Sequence, residues 1–205
     1  MNILIDILPT YVEIDNKKYG INSDFRTSIL FELMIEDKEL SDEDKVCITL
    51  ELYYKEVPEN ITKAIEKALW FYKGGKDDDL EKSNNKRVKG KSNRKIKAYS
   101  FEYDAEYIYS AFLSQYSIDL QDIGYLHWWK FKAMFKSLKE DNEIVKIMGY
   151  RSMDISKIED KSQRKFYKEM KELYKLPEKA SKKDDKELRE LEEILIRSGD
   201  ISKVL

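Results

Sequence analysis

His127 is the only histidine and Cys47 the only cysteine among 205 residues. A single imidazole excludes paired-histidine metal sites and the H-E-x-x-H arrangement, and no serine or cysteine stands out beside it as the nucleophile of a triad. A packed or surface histidine is the expected role. A single cysteine excludes an intramolecular disulfide framework and a thiolate metal cluster within one chain. The acidic groups Glu102/Asp104 and Asp77/Asp78/Asp79 have the donor chemistry to bind Mg²⁺ or share a proton, but a helix cap and a solvated linker account for them more simply. Gly74-Gly75-Lys76 lacks the G-x-x-x-x-G-K-[ST] spacing and the following helix of a phosphate loop. No catalytic residue, metal site or cofactor is expected, and the chain is not expected to be an enzyme.

Two further groups have binding chemistry. Trp128-Trp129 would suit a base-stacking platform, although aromatic residues at helical spacing are more often core. The run Lys86, Arg87, Lys89, Lys91, Arg94, Lys95 has the composition of a phosphate-binding arm, which gains affinity by releasing counterions. Asp77, Asp78, Asp79 and Glu81 lie just upstream, and the formal net charge of the chain is −2. A solvated linker is therefore preferred to a nucleic-acid contact. For protein partners, the candidate residues are the aromatic face near Tyr107, Tyr109, Trp128 and Trp129, and the stripe Leu188, Leu191, Leu195.

The composition limits the elements that hold these residues. Charged residues make up 38% against roughly 25% in ordinary domains, so much of the sequence must be solvated face or linker. Apolar residues at 41% and aromatics at 12% suffice for a core. No run approaches the roughly 18 apolar residues of a membrane span, and Met1 to Pro9 lacks the basic and long apolar regions of a signal peptide. The expected location is the cytoplasm of the cell that makes the protein.

The spacing predicts a mainly α-helical chain in two blocks. Tyr11 to Ile14 and Lys18 to Ile21 around Asp15-Asn16-Lys17 read as a small hairpin. Helices are expected over 24–36, from a capping box at Ser41 to Asp44, and from Pro58 in a first turn to a stop at Gly74-Gly75. The N-terminal block is thus 1–75, followed by a charged flexible linker over 76–97. The second, aromatic-rich block is 98–177. In it Asp104 caps a helix, the rows Trp128/Phe131/Phe135/Leu138 and Leu126/Trp129/Ala133 mark the buried centre, a short helix ends near Gly149, and Asp160 or Ser162 opens another closed by Pro177. Residues 178–205 read as a charged link and a last helix.

Several stretches together are similar to a known family. They are Leu8-Pro9-Thr10 with Val12-Glu13-Ile14, Ile21-Asn22-Ser23-Asp24-Phe25-Arg26, Ala68-Leu69-Trp70-Phe71-Tyr72, and Tyr99-Ser100-Phe101-Glu102-Tyr103-Asp104-Ala105-Glu106-Tyr107-Ile108-Tyr109. Tyr116-Ser117-Ile118-Asp119-Leu120, Leu126-His127-Trp128-Trp129-Lys130-Phe131 and Met148-Gly149-Tyr150-Arg151 follow in order. The chain resembles the bacteriophage Gp-fifteen family of siphophage and prophage tail-cluster proteins, and the order and spacing carry the resemblance. It implies a gene between the tail-tube and tape-measure genes, where tail assembly chaperones are encoded. The implied partners are the tape-measure protein, with tail-tube or companion chaperone proteins beside it, in the host cytoplasm. The resemblance brings no catalytic residues. The rival expectations are a structural tail component retained in the virion and a nucleic-acid-binding phage regulator using the basic run.

Overall fold

The computed structural model describes residues 2–76 and 97–177. Most of the expected linker over 76–97 and all of 178–205, with the Leu188, Leu191, Leu195 stripe, lie outside the described residues, as do the basic residues from Lys86 to Lys95. Among the described residues there are seven α-helices and one small hairpin, so the chain is mainly α with two helical blocks. Packing divides it into two compact units, of which the first takes residues up to 76 together with Tyr125–Lys132, and the second takes 97–124 and 133–177. The segment containing His127, Trp128 and Trp129 therefore belongs with the first unit, whereas its aromatic rows had placed it at the centre of the second.

The first unit opens with β1 (Tyr11–Ile14) and β2 (Lys17–Gly20), paired antiparallel with Val12 opposite Tyr19. The two-residue turn between them puts Asp15 at φ 50° and Asn16 at φ 63°, a left-handed conformation that Asp and Asn tolerate better than other residues with a Cβ. Asp15 also accepts hydrogen bonds from Asn60 Nδ2 (2.9 Å) and from Lys63 Nζ, and these partners hold its carboxyl below the usual carboxylate range.

Helix α1 (Phe25–Glu36) starts where Asp24 accepts from Arg26 N, and α2 (Asp42–Tyr53) starts at a complete Ser41/Asp44 capping box. Helix α3 (Ile61–Lys73) is capped by Asn60, whose side chain accepts from Lys63 N. Pro58, expected inside its first turn, instead lies upstream and is fully buried. The amide of Asn60 supplies an acceptor for an orphan N–H, which proline cannot do. At the other end Gly74 N–H bonds to Phe71 O and Gly75 N–H to Trp70 O, both at 3.0 Å, with Gly74 at φ 87° and Gly75 at φ 73°. This is a Schellman closure, and it requires left-handed backbone.

Inside, Phe31, Tyr53, Ile65 and Phe71 are completely buried. Phe31 meets Tyr53 edge-on, with ring centres 5.5 Å apart, and Tyr53 meets Phe71 edge-on at 6.0 Å. Tyr53 keeps its hydroxyl bonded to Ser28 Oγ (3.0 Å), and Tyr54 donates to Ala64 O (2.7 Å). Burial pushes both phenols well above their ordinary titration range.

The second unit holds α4 (Ala105–Tyr116), the end of α5 (Trp128–Lys136) from Ala133 onward, α6 (Glu143–Ser152), a 3₁₀ turn at Ile155–Lys157 and α7 (Lys161–Leu173). Helix α6 does not stop at Gly149. It runs on to Ser152, with Met153 N–H bonded to Gly149 O at 3.0 Å. A mid-helix glycine costs only about 1 kcal/mol relative to alanine, and Arg151, two residues further on, is held by its bonds to Asp104, Ala98 and Tyr174. The core is Phe101, Ile108, Phe112, Ile144 and Ile147. Gln115 binds the loop before α6, donating to Ser137 O (3.1 Å) while its oxygen accepts from Lys139 N and Asn142 Nδ2 (both 2.9 Å). Asp160 caps α7, as its position before a helical apolar row indicates.

Candidate functional site

Trp128 and Trp129 are built into the first unit. Trp128 Nε1 donates to Tyr72 O at 2.8 Å, Trp129 Nε1 to Phe71 O at 2.7 Å, and Lys132 Nζ to Tyr72 O at 2.9 Å. The last carbonyls of α3 have no partner within their helix, and indole N–H groups must find an acceptor when buried. Each need satisfies the other. Both indoles are almost fully covered, at 2% and 7% exposure: they pack as core, which their helical spacing favoured, and do not form the partner surface for which they were also candidates. Gly75 makes room for this: a Cβ there would lie 2.5 Å from the Trp129 ring.

His127 is a packed residue. Its Nδ1 accepts from Trp129 N–H at 3.0 Å, which caps the first turn of α5, and its Nε2 lies 3.1 Å from Pro9 O. An acceptor Nδ1 and a donor Nε2 define the neutral imidazole. Burial holds its pKa below the ordinary value, against the opposing pull of Pro9 O. The cap is held in place by backbone pairing, with Phe25 N–H on Leu126 O (2.9 Å) and Trp128 N–H on Ser23 O (2.8 Å).

In the second unit, Asp104 occupies the N-cap position of α4 but makes no side-chain cap bond. Its carboxylate is used elsewhere. Arg151 donates NH1 to Oδ2 at 2.6 Å and NH2 to Oδ1 at 2.9 Å, a bidentate pair with side chains 7% and 2% exposed. Ser100 N–H adds a third donor at 2.8 Å. Arg151 also donates Nε to Tyr174 O (2.6 Å) and NH1 to Ala98 O (3.1 Å). One guanidinium thus holds the start of the unit, the start of α4 and the residue after α7. The sequence carried a signal for it that the reading did not use: Arg151 continues the spacing of Ile144 and Ile147, the buried face of α6.

The exposed candidate surface lies around α7, which buries none of its residues. Tyr150 stacks on Tyr174 with ring centres 5.9 Å apart and planes 17° apart, and meets Phe166 (6.3 Å) and Tyr167 (6.2 Å). Phe166 is 47% and Leu173 67% exposed. Tyr174 donates to Glu143 Oε1 at 3.3 Å; partial burial, then the Glu143 carboxylate, raise its titration range, with smaller contributions from Tyr107 and Tyr150. Tyr107, named from sequence, is thus a neighbour of this group and is exposed. Tyr109 is half-buried, with its hydroxyl on Asp119 Oδ2 at 3.0 Å. None of Tyr150, Phe166, Tyr167 or Tyr174 was singled out as a binding residue.

Among the described residues, no group of three or more His, Cys, Asp or Glu side chains is placed to hold a metal ion. Among them, too, no helix is long and apolar enough to cross a membrane. Fold and surface together define a mainly helical protein with an aromatic, tyrosine-rich face. A family model described as Bacteriophage Gp15 protein matches residues 4–176. The chain belongs to that family and is a phage protein. No curated protein and no solved structure matches it.

Proposed function

We infer that the protein is a non-catalytic tail assembly chaperone that covers apolar helical segments of the tape-measure protein until tube subunits replace it. Family membership supplies the phage context, and the observation that carries the reading is the unburied apolar face of α7, with Phe166 and Leu173 open to solvent. Apolar side chains grouped on one open helix face are a mark of a partner site. Helix-in-groove or helix-on-helix recognition reads apolar residues at i, i+3, i+4 and i+7; Phe166, Met170 and Leu173 follow that spacing. Such binding is reversible, as a chaperone requires.

Co-expression tests the reading. The tape-measure protein of the same phage is expected to be soluble and to co-purify with this chain, and to aggregate without it. Equal solubility in both cases, with no co-purification, overturns the proposal. Mass spectrometry of purified particles separates a chaperone, depleted from virions, from a structural tail component at stoichiometric level.

A further inference from the structure

We propose that the aromatic face formed by Tyr150, Phe166, Tyr167 and Tyr174 binds an acidic amphipathic helix, an apolar stripe flanked by carboxylates. The proposal rests on the chaperone reading for the identity of the client, but its chemistry comes from this face alone. The rings are already packed on one another, with Phe166 and Tyr167 at 5.3 Å and Tyr150 and Tyr174 stacked. A face ordered before binding loses little side-chain entropy on association, and tyrosine supplies large contact area with few rotatable bonds.

Charge selects the partner. Helix α7 carries Lys161, Arg164, Lys165, Lys168 and Lys171 against Glu169 and Glu172, a net +3. Arg164 is engaged by Ile158 O, Lys171 by Met153 O (2.9 Å), and Lys165 lies 3.9 Å from Glu169. Lys161 and Lys168 are exposed, with no ion-pair partner among the described residues. Lys146 is paired with Glu143, whose carboxylate also accepts from the Tyr174 hydroxyl. Carboxylates flanking a client stripe would meet this surplus, and opposite potentials raise association rate and suppress wrong partners.

A single-stranded nucleic acid would also favour positive charge and aromatic rings. It stacks its bases on open ring faces. Here Tyr150 and Tyr174 lie nearly parallel against each other, and on this face the aliphatic Leu173 is more open than Phe166. An apolar helix fits this surface better than bases do.

The test uses the full chain and two synthetic helical peptides with leucines at i, i+3, i+4 and i+7, one flanked by glutamates and one by lysines. Fluorescence anisotropy is expected to show the glutamate peptide binding at least about tenfold more tightly, with affinity falling as salt rises. Phe166→Ser with Leu173→Ser is expected to weaken it about tenfold or more with an unchanged circular dichroism spectrum, and Lys161→Glu with Lys168→Glu severalfold. Equal binding of both peptides, no binding, or binding of an oligonucleotide in place of the peptide overturns the proposal. If the tape-measure protein co-purifies as well with Phe166→Ser/Leu173→Ser as with the unaltered chain, this face is wrong while the chaperone reading stands. If the glutamate peptide binds and the tape-measure protein does not, the face stands and the client is another protein.

Discussion

The first unit uses its polar side chains at helix ends, whereas the second uses them at a buried charge. Around α3, the indoles of Trp128 and Trp129, the Lys132 ammonium and the Gly74–Gly75 backbone share the work of satisfying carbonyls. In the second unit, one side chain, Arg151, makes bonds to Asp104, Ala98 and Tyr174 together. Distributed bonds each contribute about 0.5–1.5 kcal/mol and fail one at a time. A buried ion pair behaves differently, because losing one partner strands the other charge away from water. A similar contrast holds between two helices: α3 of the first unit buries Ala64, Ile65, Ala68, Leu69 and Phe71, while α7 of the second buries none of its residues.

The largest expected effect tests this asymmetry directly. Arg151→Ala leaves the Asp104 carboxylate buried without its counter-ion and is expected to destabilise by about 3–5 kcal/mol. Urea unfolding would measure the loss, and hydrogen exchange should show it first in α4 and α6. A loss below about 1 kcal/mol would mean that the second unit does not depend on this tie.

Glycine substitutions sharpen the comparison. Gly75→Ala meets both a φ of 73° and the Trp129 ring 2.5 Å from the new Cβ, so a cost of about 1–3 kcal/mol is expected. Gly149→Ala, in α6 of the second unit, meets nothing within 4 Å and should stabilise by about 0.5–1 kcal/mol. Thermal unfolding of the two variants should move in opposite directions.

A pH dependence should arise in the first unit. Because burial lowers the His127 pKa, the folded chain binds fewer protons than the unfolded chain once pH falls through the unfolded imidazole's range near about 6.5. Stability present above that range is therefore lost as pH drops toward the folded value. Protonation would also turn Nδ1 into a donor facing Trp129 N–H. Asparagine retains a capping acceptor, so His127→Asn should flatten this part of the pH profile; an unchanged profile would assign the acid sensitivity to other groups.

The smallest effect is expected on α7. Phe166→Ser and Leu173→Ser should each change stability by no more than about 0.5 kcal/mol, whereas Phe71→Ala in the first unit should cost about 3–5 kcal/mol. A large loss from either α7 variant would mark the face as part of the unit's own core.

Helix starts were legible because capping is local. Asp24, Ser41 and Asp160 each bond to a backbone N–H within three residues, so their neighbours in the sequence suffice to identify them. The hairpin was legible for the same reason, although its turn proved to be two residues and β2 to begin at Lys17. Pro58 misled because it stands near a cap that a nearby asparagine fills better. Of the candidate surface, Tyr107 was named as a binding residue and Tyr150, Phe166, Tyr167 and Tyr174 were not, since periodicity alone cannot distinguish a covered apolar row from an open one.

By itself, then, the sequence determined the helical class, the hairpin and most helix boundaries, all consequences of interactions spanning a few residues. Tertiary structure alone decided where each aromatic or charged side chain finds its partner. Trp128 bonds to a residue 56 positions away, Trp129 to one 58 away, and Arg151 to an aspartate 47 away. A helix end left without acceptors can recruit any indole in the chain, and a buried carboxylate any guanidinium. Which one arrives depends on how the whole backbone closes, so the tryptophans named as a surface became a helix cap and the aspartate named as a cap became a buried ion pair.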